Sequence, residues 1–200
     1  MNMQTTSPVL DLNSTIQEYL VQNEKNWTDY NVPFADGEIL EKLILQNNYK
    51  TVLEIGTSTG HSTIWLAKAV AQTGGKVITI EIDENRFKKA KHNFEKAGVS
   101  HLIEMKLGNA IQIIPTLNET FNFIFSDATW NAQPEDCYLN FFKLSEPKLA
   151  IGGLYTMHNV TDGFGDDGRF LAYLEKLDNY QTSIITTSSA GISISKKIII

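Results

Sequence analysis

"VLEIGTSTGHST", Val52 to Thr63, is the stretch on which the reading of this chain turns. An apolar run with Glu54 near its end breaks into Gly56 and Gly60, and Ser62 then opens a helical pattern. That order spells strand, tight turn, helix. Glycines in such a turn let a ligand approach backbone N–H groups at the positively polarised start of a helix. The spacing is G-x-x-x-G and not the dinucleotide fingerprint G-x-G-x-x-G, which disfavours a nicotinamide site. A turn that binds nothing can need the same glycines, so the motif alone leaves both readings open.

Outward from the turn, short β-branched runs alternate with helical periodicity, the pattern of parallel strands joined by crossover helices. "KTVLEI" is the first strand, and "STIWLAKAVAQ" sets Ile64, Ala67 and Ala71 on one helical face before the glycine stop at Thr73 to Gly75. "KVITIEI" is the second strand. Asp83 is placed to cap the next helix, where Phe87, Ala90, Phe94 and Ala97 recur at helical spacing and Gly98 closes the C-terminus. "LIEMKL", "FNFIFS" and "LAIGGLYTM" bring the parallel sheet to five strands, with a short helix broken at Pro115 and a longer one from Cys137 to Leu144 between them. "YQTSIITT" and "GISISKKIII" are separated only by "SSA" and Gly191, which suits a hairpin. Upstream, a capping-box pattern from Ser14 to Gln17 begins one helix and "DGEILEKLILQ" follows Pro33 as another. The expected organisation is a single domain over residues 1–200, with 1–47 as a helical cap and 48–200 as the α/β core.

Two hundred residues, 42% of them hydrophobic, suffice for one sizeable core. A net charge of -6 and a pI near 5.2 argue against nucleic acid and anionic membranes as partners. The single cysteine, Cys137, excludes an intrachain disulfide framework and a cysteine-built zinc site. With neither a secretory pattern nor an apolar run of about 18 residues, the expectation is a cytoplasmic protein.

Glu81 ends the second strand twenty-one residues beyond Gly60. A carboxylate about 20 positions after such a turn can accept hydrogen bonds from ribose hydroxyls; a solvated strand-end glutamate is the bland alternative. Glu54, the glycine turn and Glu81 together favour a nucleoside ligand without pyrophosphate, and a cationic sulfonium would be attracted by Glu54. These features point to S-adenosylmethionine (SAM).

Through "VPFADGEILEKLI", "VLEIGTSTGHSTIWLA", "ITIEIDENRFKKAKHNFEKAGV", "LGNAIQIIPTL", "FNFIFSDA" and "GGLYTMHNV", the chain resembles the class I SAM-dependent O-methyltransferases of the catechol and caffeoyl-CoA type. The resemblance runs over roughly residues 30 to 198. It implies a doubly wound, Rossmann-like α/β fold of seven strands with the last antiparallel and helices on both faces, and methylation of a small hydroxylated, phenol-type molecule. It places Glu54, Gly56, Gly60 and Ser62 at the methionine part of the cofactor, Glu81 at the ribose, Asn109 and Ala110 beside the adenine, and Asp127 near the methyl donor. Homodimers are common among such relatives.

The resemblance breaks at the chemistry. Metal-dependent members use an Asp, then an Asp-Asn pair, to hold a divalent cation; here Asp127 and Asn159 match while His158 replaces the middle carboxylate. Trp130 stands where members commonly carry a lysine. An Asp/His/Asn set suits manganese, iron, cobalt or zinc better than magnesium, or no metal at all. His158 is accordingly a general base or substrate contact, a metal ligand, or a hydrogen-bonded structural residue, and Asp127 shares the candidate catalytic role. His61, inside the turn, is expected to pack; His92 falls on a solvated face, His101 begins a strand, and Asp162, Asp166 and Asp167 form a solvated acidic loop. The competing functions are a SAM-binding protein with lost or altered catalysis and, against the acidic charge balance, a nucleic-acid methyltransferase.

Overall fold

The computed structural model describes residues 8–27, 29, 31–128, 137–161 and 168–198. Two helices lead, α1 (Pro8–Asn23) and α2 (Phe34–Asn47). There follow β1 (Thr51–Ile55), α3 (His61–Thr73), β2 (Lys76–Glu81), α4 (Glu84–Lys96), β3 (Ile103–Leu107), α5 (Ala110–Ile113) and β4 (Phe121–Ser126). Then come α6 (Cys137–Ser145), β5 (Leu149–His158), α7 (Arg169–Leu174), β6 (Tyr180–Ile185) and β7 (Ile192–Lys197). The sheet has seven strands in the order β3-β2-β1-β4-β5-β7-β6. Its first five are parallel and β7 is antiparallel to both neighbours, as the terminal hairpin predicts. Strand order reverses between β1 and β4, and in open α/β sheets that reversal opens a crevice at the strands' C-terminal ends.

The core explains why these segments take these places. α3 is buried continuously from His61 to Val70, and its one cation, Lys68, is satisfied there by Gln17 and Glu41 at 2.6 and 2.8 Å. It lies between the sheet residues Val52, Val77, Phe123 and Phe125 on one side and Leu40 and Ile44 of α2 on the other. Ile16 and Leu20 of α1 cover Ile64, Trp65 and Phe94 outside it. On the opposite face, Phe142 of α6 makes edge contacts with Tyr155, Phe170 and Tyr180, ring centroids 4.9, 5.6 and 5.4 Å away. Truncating such a ring to alanine costs about 3–5 kcal/mol.

Several local expectations hold and others shift. Asp83 caps α4, accepting from the Arg86 amide at 2.8 Å. Pro115 falls in a 3-10 turn directly after α5. Helix α1, however, begins at Pro8, so Ser14 is interior and the capping box does not start the helix; proline at the first helical position needs no N–H partner and has φ preset. The connection between β6 and β7 is longer than "SSA", because the chain from residue 186 turns down toward α2, where Ser188 finds a partner. His101 lies in a 3-10 turn ahead of β3. Trp130 and Asp162, Asp166 and Asp167 lie outside the described residues. No described helix is long and apolar enough to cross a membrane.

Candidate active site

The glycine turn is built by packing as much as by conformation. Gly56 takes φ +98°, and a Cβ there would stand 2.9 Å from the amide nitrogen of Ala128, so β1 ends against the chain that leaves β4. Gly60 takes φ +96°, and its Cβ would stand 2.4 Å from the Phe94 ring of α4. Both positions exclude a side chain because protein already fills the space. Packing thus gives both glycines a reason of their own, alongside any ligand that approaches the backbone N–H groups of the turn.

Glu54 and Ser62 lie beneath the turn and face each other. Glu54 is fully buried, and its carboxylate accepts from Ser62 Oγ at 2.6 Å, Thr79 Oγ1 at 2.6 Å and Thr63 Oγ1. Burial pushes its carboxyl up to about 7; the three hydroxyl bonds pull it down and the charge of Asp127 raises it again. Glu54 therefore anchors the first turn of α3 from below and does not line an open surface.

Glu81 is held at the end of β2. Its Oε2 accepts from the Ser58 amide at 2.7 Å, and Oε1 from the Ile82 and Asp83 amides at 3.0 and 2.8 Å. Around it, Ile82, Leu107 and Ile111 are exposed apolar side chains on adjoining elements. Asn109 accepts from the Ile111 amide at 2.9 Å and so caps α5, where Ala110 is buried.

Next to the turn, four elements meet at one imidazole. Asp127 follows β4, His158 ends β5, and Asn159 adopts φ +61° immediately after it. His158 Nδ1 lies 3.1 Å from Asp127 Oδ1, which also accepts from Asn159 Nδ2 at 2.9 Å. On the ring's other side, Nε2 lies 2.9 Å from Oδ2 of Asp36, in the first turn of α2. That same oxygen accepts from Ser188 Oγ at 2.6 Å. Burial acts to lower the imidazole pKa, but the hydrogen bonds and charges of Asp127 and Asp36 outweigh it and push it up to about 9.

A strap formed by the segment before α2 crosses the turn. Ser58 Oγ donates to the Asp29 carbonyl at 2.6 Å, and the Asp29 carboxylate pairs with Arg86 at 3.0 Å. His61 stacks on Trp27 at 4.8 Å and lies 2.9 Å from the Val32 carbonyl through Nδ1, while Nε2 accepts from Trp65 Nε1 at 3.2 Å. Burial lowers its pKa to about 4, which keeps it neutral and in the packing role expected of it.

This geometry has counterparts. The O-methyltransferase family model matches residues 7–165. The chain belongs to the O-methyltransferase family. A catechol O-methyltransferase of Niastella koreensis is 38% identical over 140 residues, which are 68% of this chain and 58% of that protein. Caffeoyl-CoA O-methyltransferase 5 of Nicotiana tabacum is 31% identical over 140 residues, 67% of this chain and 56% of its own. The chain thus spans less than two thirds of these curated relatives. Among solved structures, the O-methyltransferase from Bacillus cereus in complex with SAH has TM-score 0.76 and 25% identity, covering 92% of this chain and 90% of that one. TomG from Streptomyces achromogenes, in complex with SAM, has TM-score 0.75 and 26% identity with the same coverage of both chains.

Within this family frame, the structure brings Asp127, His158 and Asn159 into one hydrogen-bonded cluster beside Gly56, and sets Glu81, Asn109 and Ala110 along the neighbouring strand ends. Sequence reasoning missed Asp36 and Ser188. The only local hint of Asp36 is an acidic residue followed by glycine in the first turn of an apolar helix, and nothing in it points to a histidine 122 positions away.

Proposed function

We infer that this chain transfers a methyl group from SAM to the oxygen of a small hydroxylated, phenol-type molecule. The observation that carries this reading is the His158 cluster standing beside the glycine turn at the strand-order reversal, where ligands of open α/β sheets bind. Glu81, with three of a carboxylate's roughly four acceptor sites taken by backbone amides, offers the remaining one to a ribose hydroxyl. Ile82, Leu107 and Ile111 supply an apolar ledge for a purine, bordered by Asn109 and Ala110. Gly56 to Ser62 serve the amino-acid and sulfonium end, and the buried Glu54 acts there through the helix start that it anchors. When bound, SAM supplies a methyl group on a cationic sulfur and leaves as neutral SAH. Asp127 and His158 then face the acceptor, and α2 forms the acceptor side of the pocket.

The residues present do not fit a hard divalent cation. An imidazole nitrogen stands where a second carboxylate oxygen would be needed. Asn159 turns its amide N–H toward Asp127, so the cluster is closed by matched donors and acceptors. Catalysis by the chain itself then consists of alignment and proton management.

Calorimetry with SAH, together with transfer of labelled methyl from SAM to a catechol and caffeoyl-CoA panel, tests the reading. SAH binding and methylation of at least one hydroxyl are expected. A protein that binds no SAH contradicts it.

A further inference from the structure

We propose that Arg86 is a positioning residue for the cofactor: it holds the Asp29 carboxylate, and through Asp29 and Ser58 it fixes the Glu81 carboxylate that faces the ribose. This rests on the methyltransferase reading above and adds to it a residue that acts on Glu81 from two residues away. Ser58 is the link, and its backbone is strained. Its φ is +49°, in the left-handed region that a non-glycine residue rarely takes. Such a conformation persists only where the surroundings hold it.

Two bonds hold Ser58, one on each side. Its amide donates to Glu81 Oε2 at 2.7 Å, and its Oγ donates to the Asp29 carbonyl at 2.6 Å. The next residue repeats the stitch: Thr59 Oγ1 donates to Asn31 Oδ1 at 3.1 Å, and Asn31 Nδ2 donates to the same Asp29 carbonyl at 2.9 Å. Asp29 is therefore where the strap grips the turn. Asp29 is in turn held from α4. Arg86 Nη2 lies 3.0 Å from Asp29 Oδ1 and Nε lies 3.4 Å from Oδ2, a fork that restricts the carboxylate's orientation as a single ammonium contact would not.

The connection onward to Glu81 sets this ion pair apart from an ordinary surface pair. The Arg86 and Asp29 side chains are 34% and 32% exposed, so the pair by itself contributes modestly. Releasing it, however, loosens Asp29, deprives Ser58 Oγ of a fixed acceptor and lets Ser58 relax toward negative φ, which carries its amide off Glu81. Oε1 of Glu81 is fully occupied by the Ile82 and Asp83 amides, whereas Oε2 accepts only from Ser58. The one acceptor site left for a ribose hydroxyl is thus on the oxygen that Ser58 orients.

The test measures binding of SAH, the probe, to the full chain by calorimetry. Arg86→Ala is expected to raise Kd about fivefold, the upper range for a partly exposed ion pair, while Tm stays within about 2 °C. Asp29→Asn, which keeps the carbonyl and removes the charge, should give a similar loss and serves if Arg86→Ala does not fold. Arg86→Asp combined with Asp29→Arg should recover most of it. The decisive comparison is a double-mutant cycle. Because Arg86 acts through Glu81, adding Arg86→Ala to Glu81→Ala should raise Kd by no more than about twofold further. A full additional fivefold loss in the double variant, or an Arg86→Ala protein with unchanged Kd, overturns the proposal and leaves the methyltransferase reading standing. A wild-type protein that binds no SAH overturns that reading and the proposal with it.

Discussion

The glycine turn and the His158 cluster are neighbours in space but are assembled over different distances along the chain. In the turn, Glu54 meets Ser62 eight residues on, and Ser58 meets Glu81 twenty-three residues on. In the cluster, His158 meets Asp36 across 122 residues and Ser188 meets Asp36 across 152. The first is a βαβ unit that carries its own hydrogen-bond partners wherever it folds. The second exists only once β4, β5, α2 and the β6–β7 loop have docked. A site of the second kind can exchange one ligand type for another, because the compensating charge can come from an unrelated element. Here two carboxylates bracket one imidazole, and the second of them, Asp36, comes from a helix outside the sheet.

If the two regions divide binding from chemistry, substitutions should separate them. His158→Asn should have the largest effect, lowering kcat by about 10²–10⁴-fold while SAH affinity measured by calorimetry stays within about threefold. An equal loss of SAH affinity would dissolve the distinction. Glu81→Gln should do the reverse, weakening SAH roughly tenfold or more because a charged acceptor of N–H and O–H donors is lost; kcat at saturating SAM should change little.

Gly37→Ala should connect the regions through packing. Forcing a methyl group against the Trp65 indole, which a Cβ on Gly37 would meet at 2.3 Å, costs about 1–3 kcal/mol, read as a lower Tm, and moving α2 withdraws Asp36, so kcat should fall while SAH binding holds. The smallest effect is on the pH dependence of stability. His158 has a folded pKa of about 9, above the roughly 6.5 of an unfolded-chain imidazole, so its contribution is complete below about pH 6.5 and is lost as pH rises through 9. The difference is at most about 3 kcal/mol. The wild-type Tm should fall over that interval more than that of His158→Gln, and parallel curves would show that the imidazole is not held as a cation.

The contrast also explains what the sequence disclosed. Strand periodicity, the Asp83 cap, the break at Pro115 and the terminal hairpin all rest on neighbours within a few residues, and each is where the pattern puts it, apart from the longer connection of the hairpin. Asp127, His158 and Asn159 could be named because the resemblance to metal-dependent O-methyltransferases marks those positions, and they end two strands that a parallel sheet sets side by side. Glu54 and Ser62 were legible as residues but not as partners: spacing shows that both border the turn, and only the packed helix shows them bonding beneath it. Gly60 was legible as a glycine of the turn, but its packing against Phe94, thirty-four positions on, was not. Asp36 was hidden for the same cause. Its helix is recognisable, but its reach depends on Gly37 meeting Trp65, a contact that no periodicity encodes.

The rate of SAH formation from SAM and a catechol-type acceptor, measured in EDTA from pH 6 to 10, tests the central claim most directly. Turnover in the chelator is expected, because Asp127, His158 and Asn159 are closed on one another by matched donors and acceptors. A protein silent in EDTA and restored by manganese would contradict the account.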